Sequence, residues 1–380
     1  MIGLSRLIAF DRENGTLKAE AGATFGEIMR RIVPYGYFLP VTPGTRYVTL
    51  GGAVANDVHG KNHHQVGTFG RHISSLRLLR HDGGVTLSPA GNDNGLFEAT
   101  IGGLGLTGLV EWVEIKLQPI KSSSLDVDII PYSDLSEYWN IAETYCTTHE
   151  FAAAWIDCTA KCHPHWRGLF SRANWAAEGQ LIAHRDQRRI SVPPIEWGGL
   201  LNRLTVRIFN ELYYNGQRRK KDLRQQQHYS QFLHALDSVA NWNRLYGAKG
   251  FWQYHCAVPR RVMKDAITAL LNEIRSFGTA PFLAVLKTCG PLPSPGLLSF
   301  PMEGATLALD FPNCDAVISK LFPRLDAIVC EAGGRLYAAK DGRVPKEVWA
   351  AGYPQLESFL SHVDPHFASD FWRRVAPRVV

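Results

Sequence analysis

No stretch of this 380-residue chain approaches the roughly 18 consecutive apolar residues that a membrane-spanning helix needs. Met1 leads into a short mixed segment rather than a basic stretch followed by an apolar one, so no secretory leader is expected. The seven cysteines are odd in number and scattered from Cys146 to Cys330, which makes no disulfide framework and points to a reducing compartment. There is no internal repeat and no low-complexity tract. Excess charge is also scarce. A formal net charge of +6 suits an anionic ligand or an acidic membrane surface, yet it is too small and dispersed to argue for nucleic acid, whose motifs are missing as well. The chain is expected to be cytoplasmic, either soluble or peripheral at the inner face of the membrane.

What remains is globular. Hydrophobic residues make up 45% and charged residues 20%, and the length suits two domains. Residues 6–20 read as two strands around Asn14-Gly15, a dipeptide that favours a tight hairpin turn. Thr24 and Glu27 have capping-box spacing ahead of Ile28, Ile32 and Val33, which predicts a helix. Residues 73–88 read as two more strands, and LVEWVEIKLQP (109–119) alternates as another. Helical patterns follow at 133–149 and 259–278, with strand patterns at FWQYHCAVP, FLAVLKTCG and TLALDFP. Between about 185 and 230 lies a poorly patterned basic stretch, and from 344 onward the tail is expected to be helical. The fold class is therefore α+β: a glycine-rich first domain over 1–120, a mixed second domain over 121–343, and a helical segment over 344–380.

Several motifs carry two readings each. GGAVANDVHGKNHHQVGTFG (51–70) is crowded with glycines and histidines. His59, His63, His64 and His72 could hold a metal, but thiolates are absent nearby and Asp57 is the one close carboxylate; no metal is expected. Gly103, Gly105 and Gly108 match G-x-G-x-x-G, yet the next segment has strand character, which argues against a Rossmann fingerprint and leaves open a loop that lets backbone approach a ligand. Cys158, Cys162, His163 and His165 resemble a metal set by letters alone, without a second pair of ligands. RRKK (218–221), with Phe209, Tyr213 and Tyr214 nearby, is either a solvated face or a contact for an anionic membrane or lipid phosphate. Lys340 and Tyr337 at a strand end could orient or protonate a sugar hydroxyl or flavin oxygen, or could simply occupy a turn.

PGTRYVTLGGAVANDVHGKNHH (43–64) closely resembles the flavin-contacting segment of the decaprenylphosphoryl-β-D-ribose 2-oxidase family, vanillyl-alcohol-oxidase-like flavoproteins. The likeness continues in order through ATIGGLGLTGLV (99–110), WNRLYGAKGFWQYHCAVP (242–259), GGRLYAAKD (333–341) and VDPHFASDFWRR (363–374). It implies a PCMH-type FAD-binding domain, a substrate domain capping the flavin, and a C-terminal helical segment returning to the FAD domain. It implies oxidation of the C2 hydroxyl of a polyprenyl-phosphate-linked ribose to the keto sugar, with a short-chain reductase as the partner that completes epimerisation to arabinose. Carried over motif by motif, Gly51, Gly52, Ala53, Asp57, Gly60, Asn62, His63 and Gly67 would surround FAD, and Gly103, Gly105, Gly108 and Val110 would add contacts. His59 and Lys61 would face the flavin. Trp155, Gln253, Lys287, Tyr337 and Lys340 would line the substrate pocket, with Lys340, Tyr337 and His59 as the catalytic groups.

Two departures temper the likeness. Ala308 stands where the family leads one to expect an active-site cysteine. Members also carry roughly fifty residues before the point matching Met1, including a glycine- and arginine-bearing loop for the FAD pyrophosphate, so the first domain is expected to be N-terminally truncated. A sugar-lactone oxidase is the alternative within the same chemistry, and a non-catalytic flavoprotein remnant is the alternative outside it.

Overall fold

The computed structural model describes residues 3–91, 93–159, 166–185, 190–193, 201–220, 224–340 and 342–377. Gly15, at φ +63°, supplies the left-handed turn between strands Leu7–Asp11 and Thr16–Glu20. Those strands begin an antiparallel five-stranded sheet that continues through Leu109–Lys116, Ile73–Arg80 and Gly83–Leu87. The capping box forms: the Thr24 hydroxyl accepts from the Glu27 N–H at 3.2 Å and the Glu27 carboxylate accepts from the Thr24 N–H at 2.8 Å. The helix it starts, Phe25–Ile32, buries Phe25, Ile28, Met29 and Ile32 in the core beside this sheet. At roughly 1.5–3 kcal/mol per large buried side chain, that face holds the helix in place.

The second sheet has eight antiparallel strands, in the order Arg224–His228, Ser124–Tyr132, Gly168–Trp175, Phe151–Ile156, Leu283–Cys289, Gly304–Pro312, Phe251–Pro259 and Arg335–Leu336. Its strands alternate strictly. Tyr254, Cys256, Leu286, Leu307, Leu309 and Phe311 join one core with helices Met263–Phe277 and Phe322–Glu331. The opposite face is divided. Its early strands bury Leu125, Val127 and Leu169 in the core of the first sheet, while its later strands turn Gln253, His255, Val285, Lys287, Ala308 and Asp310 toward a cavity.

Two segments go beyond what local patterning indicated. The poorly patterned basic stretch contains a sixteen-residue helix, Arg203–Arg218, capped by Asn202. It escaped notice because its buried side is only Val206, Asn210 and Tyr214, while its apolar residues face outward. The helical tail does not pack on the first sheet alone. Trp349, Tyr353, Phe359 and Val375 lie in the second sheet's core; Phe359 also sits against Gly103 of the first unit, where the His362 carbonyl accepts from the Arg80 guanidinium at 3.0 Å and the Asp364 N–H donates to the Leu106 carbonyl at 2.8 Å. Among the described residues no helix is long and apolar enough to cross a membrane.

Candidate active site

The crowded segment 51–70 folds as two short helices, Leu50–Ala55 and His63–Val66, with a connector between them. Thr49 starts the first, its hydroxyl accepting from the Gly52 N–H at 3.2 Å. The G-x-G-x-x-G loop docks on the other end: Gly102 and Leu104 donate to the carbonyls of Val54 and Ala55 at 2.9 and 2.8 Å. No helix follows the loop, and Leu109 opens a strand as the spacing implied. The glycines divide into two groups. A Cβ at Gly51, Gly60, Gly103 or Gly108 would collide with the protein itself, at 2.8 Å from Ala21 Cβ, 2.8 Å from the Thr42 carbonyl, 2.1 Å from the Ala99 carbonyl and 2.6 Å from the Leu79 carbonyl. Gly105, at φ +75°, faces open space, and Gly52 lines the cavity.

That cavity, about 720 Å³, lies between the 43–59 segment and the later strands of the second sheet. One side is closed by the 236–243 segment, anchored by a buried pair in which the Arg46 N–H donates to the Asp237 carboxylate at 2.8 Å. Of the residues expected at the site, Gly52, His59, Gln253, Lys287, Tyr337 and Lys340 line this one cavity. The rings of His59, His255, Phe300 and Tyr337 pack together, with His59 at 5.6 Å from His255 and 5.5 Å from Tyr337. The His59 Nδ1 and both ring nitrogens of His255 are buried without a hydrogen-bond partner.

Burial sets the protonation of this cluster. His59 is held well below the usual imidazole range by desolvation, then by the nearby Lys287 and His255, so it is neutral. His255 is pushed down in the same way by burial and by Lys287 and Lys340. The Lys287 ammonium is also driven downward by burial. Lys340 stays open to the cavity solvent, yet the protein crowding it lowers its pKa, with Asp310 pulling the other way. Asp310 accepts from Gln253 Nε2 at 2.5 Å, and burial raises its carboxyl to about 6. Tyr337 is pushed above its ordinary value and lies 3.5 Å from the Asn56 carbonyl, so it is a hydrogen-bond donor rather than a base.

Other expected residues sit elsewhere. Asp57, at φ +39°, is a buried brace whose carboxylate accepts from the Gly70 N–H at 2.8 Å and from the Ser299 hydroxyl at 2.5 Å; it does not face the cavity. The Lys61 ammonium is taken by the Phe232 carbonyl and the Phe232 ring, away from the cavity wall. Ala53 is core, Asn62 donates to the Pro40 carbonyl, and His63 is buried 6.4 Å from His59. Gly67 adopts a left-handed turn against Arg71, and Val110 pairs with Leu78 inside the first sheet. Trp155 shares the cavity's sheet face opposite Val285, but its ring packs on Tyr213 at 5.2 Å. His64 and His72 bond backbone carbonyls; Cys162, His163 and His165 lie outside the described residues. Sequence reasoning missed His255 and Asp310. The available signal was a polar residue at an inward position of an alternating, otherwise apolar strand.

Residues 1–88 match the model of an FAD binding domain family. The chain is 36% identical to decaprenylphosphoryl-β-D-ribose oxidase of Mycolicibacterium smegmatis, over 99% of its own length and 84% of that protein. The chain belongs to the decaprenylphosphoryl-β-D-ribose oxidase family. It is an FAD-dependent oxidoreductase. An uncharacterized protein of the mprA 5′ region in Streptomyces coelicolor is 33% identical, over 93% of this chain and 99% of that one. D-lactate dehydrogenase of Anaerostipes hadrus shares 24% identity over 35% of this chain and 29% of its own.

The cavity fits the flavin such a family member binds. It is bordered by Gly52, where backbone can come close, and supplied with unpartnered imidazole nitrogens and two lysines. Ala308 lies in the wall, opposite His255 in one neighbouring strand and Val285 in the other. The buried Cys256 and Cys289 are not part of that wall. Inhibitors that work by capturing a thiol at the Ala308 position are therefore expected to leave no adduct in intact-protein mass spectra, whereas Ala308→Cys restores capture.

Proposed function

We propose that the protein oxidises the C2 hydroxyl of a ribose carried on a polyprenyl phosphate to the keto sugar, the first half of a ribose-to-arabinose epimerisation that a short-chain reductase completes. The observation that carries this reading is the cavity itself, lined by two lysines of lowered pKa, a carboxyl, an amide and a phenol, in a member of this family. Bound FAD supplies the acceptor for the hydride of the C2–H bond. His59, Gly52 and Lys287 would hold it, with Lys287 supplying positive charge at that wall of the cavity. Tyr337 donates a hydrogen bond to the sugar, and Gln253 and Asp310 orient its hydroxyls. Lys340, with its depressed pKa, takes the proton of the C2 hydroxyl as hydride departs. The 1–120 segment forms the cofactor unit in this reading, 121–343 the cap, and 344–380 the strap between them. The substrate's lipid places the protein at a membrane surface.

Two measurements test the proposal. The purified chain should take up FAD, and a colourless folded protein that refuses added FAD would favour the non-catalytic remnant. Under anaerobic conditions the polyprenyl-phosphoryl ribose should bleach the flavin bands and yield a keto sugar. Bleaching by an aldonolactone instead would transfer the assignment to a sugar-lactone oxidase.

A further inference from the structure

Twelve large hydrophobic side chains are exposed among the described residues, and five belong to one helix: Leu204, Ile208, Phe209, Leu212 and Tyr213 on Arg203–Arg218. Leu204, Ile208 and Leu212 repeat every four residues and form a single outward stripe, with Phe209 and Tyr213 beside it. Leu212 is 71% exposed, the most open of the twelve. Arg203, Arg207, Arg218, Arg219 and Lys220 flank the stripe. The single acidic residue from 203 to 220, Glu211, is already paired with Arg167 at 2.9 Å.

The stripe borders the cavity. Tyr213 packs on Trp155, Trp155 lies opposite Val285 in the sheet, and Val285 is in the cavity wall. Phe209 meets Phe282 at 6.0 Å, next to the wall residue Leu283, and the wall itself holds the 39%-exposed Leu236. An apolar face flanked by unbalanced positive charge is what a helix needs to lie in the headgroup layer of an anionic bilayer. A second copy of this chain would bring the same arginines against one another, so charge favours the lipid over self-association.

We propose that helix Arg203–Arg218 docks the protein on an anionic lipid surface and sets the cavity mouth at the bilayer. The docking gives the lipid-linked substrate of the proposed function its route, and rests on that reading for its purpose but not for its measurement. The FAD-loaded full chain should co-sediment with vesicles of phosphatidylcholine plus phosphatidylglycerol and far less with phosphatidylcholine alone. Ile208→Glu with Leu212→Glu should weaken that partition about tenfold to a hundredfold. Arg218→Glu with Arg219→Glu should weaken binding to the anionic vesicles more than about tenfold and leave the weak neutral-vesicle binding in place. Leu4→Glu with Ile8→Glu, in and just before the first sheet's outer strand, should change neither. Unaltered flavin absorbance and thermal midpoint would show that each variant is folded. Failure to bind anionic vesicles, binding indifferent to Ile208→Glu with Leu212→Glu, or concentration-dependent dimers abolished by that pair would each overturn the proposal. None of these outcomes depends on which sugar is oxidised, so the two proposals fail separately.

Discussion

Lys340→Met is expected to lower turnover by about 10²–10⁴-fold while leaving FAD bound, because it removes the group assigned to take the hydroxyl proton. Methionine keeps the apolar stem that the cavity wall packs against, so the flavin spectrum and thermal midpoint should hold. Lys340→Arg separates two roles. It would rescue a purely electrostatic function, but a guanidinium stays protonated and would not rescue a base. The pH profile adds a second handle. Crowding lowers the Lys340 pKa and the Asp310 carboxylate raises it, so the rate should climb with pH toward that depressed value. Asp310→Asn removes the anion and should move the climb to lower pH. Turnover in Lys340→Met within a few-fold of the parent would end its assignment as base.

Acidification should unfold this protein early, and the effect should exceed that of most single substitutions. His63 and His184 are held at about 4 and His234 at about 3, chiefly by burial, and His59 and His255 are also depressed. In the unfolded chain each returns to about 6.5. The folded pKa lies below the unfolded one, so this stability is complete above about pH 6.5 and disappears as pH falls toward 4. A histidine held at about 4 contributes up to about 3 kcal/mol in this way. Asp57 and Asp310 act oppositely. Their carboxyls rise to about 6, which favours the fold below the unfolded carboxylate range and penalises it as pH rises through 6. Five histidines outweigh two acids. The thermal midpoint should drop by more than about 10 °C between about pH 7.5 and about pH 5, by calorimetry at constant FAD. A midpoint that stays level or rises over that interval would contradict the assignment of neutral buried imidazoles.

Much of the architecture was legible because local signals agreed with the final packing. Asn14-Gly15 needed only its turn, Thr24 and Glu27 only each other, and FWQYHCAVP only its alternation. The helix Arg203–Arg218 was not legible, since an amphipathic pattern shows a core only when the apolar side faces inward. The site was legible as a set of residues and not as a set of roles. Glycine signals a missing Cβ but not what stands in its place: at Gly51 and Gly103 the neighbour is the protein, at Gly52 it is the cavity. Asp57 in a cofactor-like motif could equally contact a ligand or tie chain segments together, and its two hydrogen bonds assign it the second task. Asp310 and His255 depended on pairing between strands Gly304–Pro312 and Phe251–Pro259, a relation that local spacing does not carry.

That pairing reaches further than the chemistry. The cavity takes its walls from 43–59, 236–243, 253–255, 283–287, 308–310 and 337–340, stretches spread along the chain from Pro43 to Lys340. No order of synthesis can close it early, because its last wall, Tyr337 to Lys340, arrives after all the others. A nascent or proteolysed chain stopping before Phe251 would still display every glycine of the 51–70 segment and yet lack the cavity walls from 253–255, 283–287, 308–310 and 337–340. In the proposed reading, FAD capture is therefore expected to follow completion of the long-range strand pairings, which form slowly, rather than formation of the 51–70 segment alone.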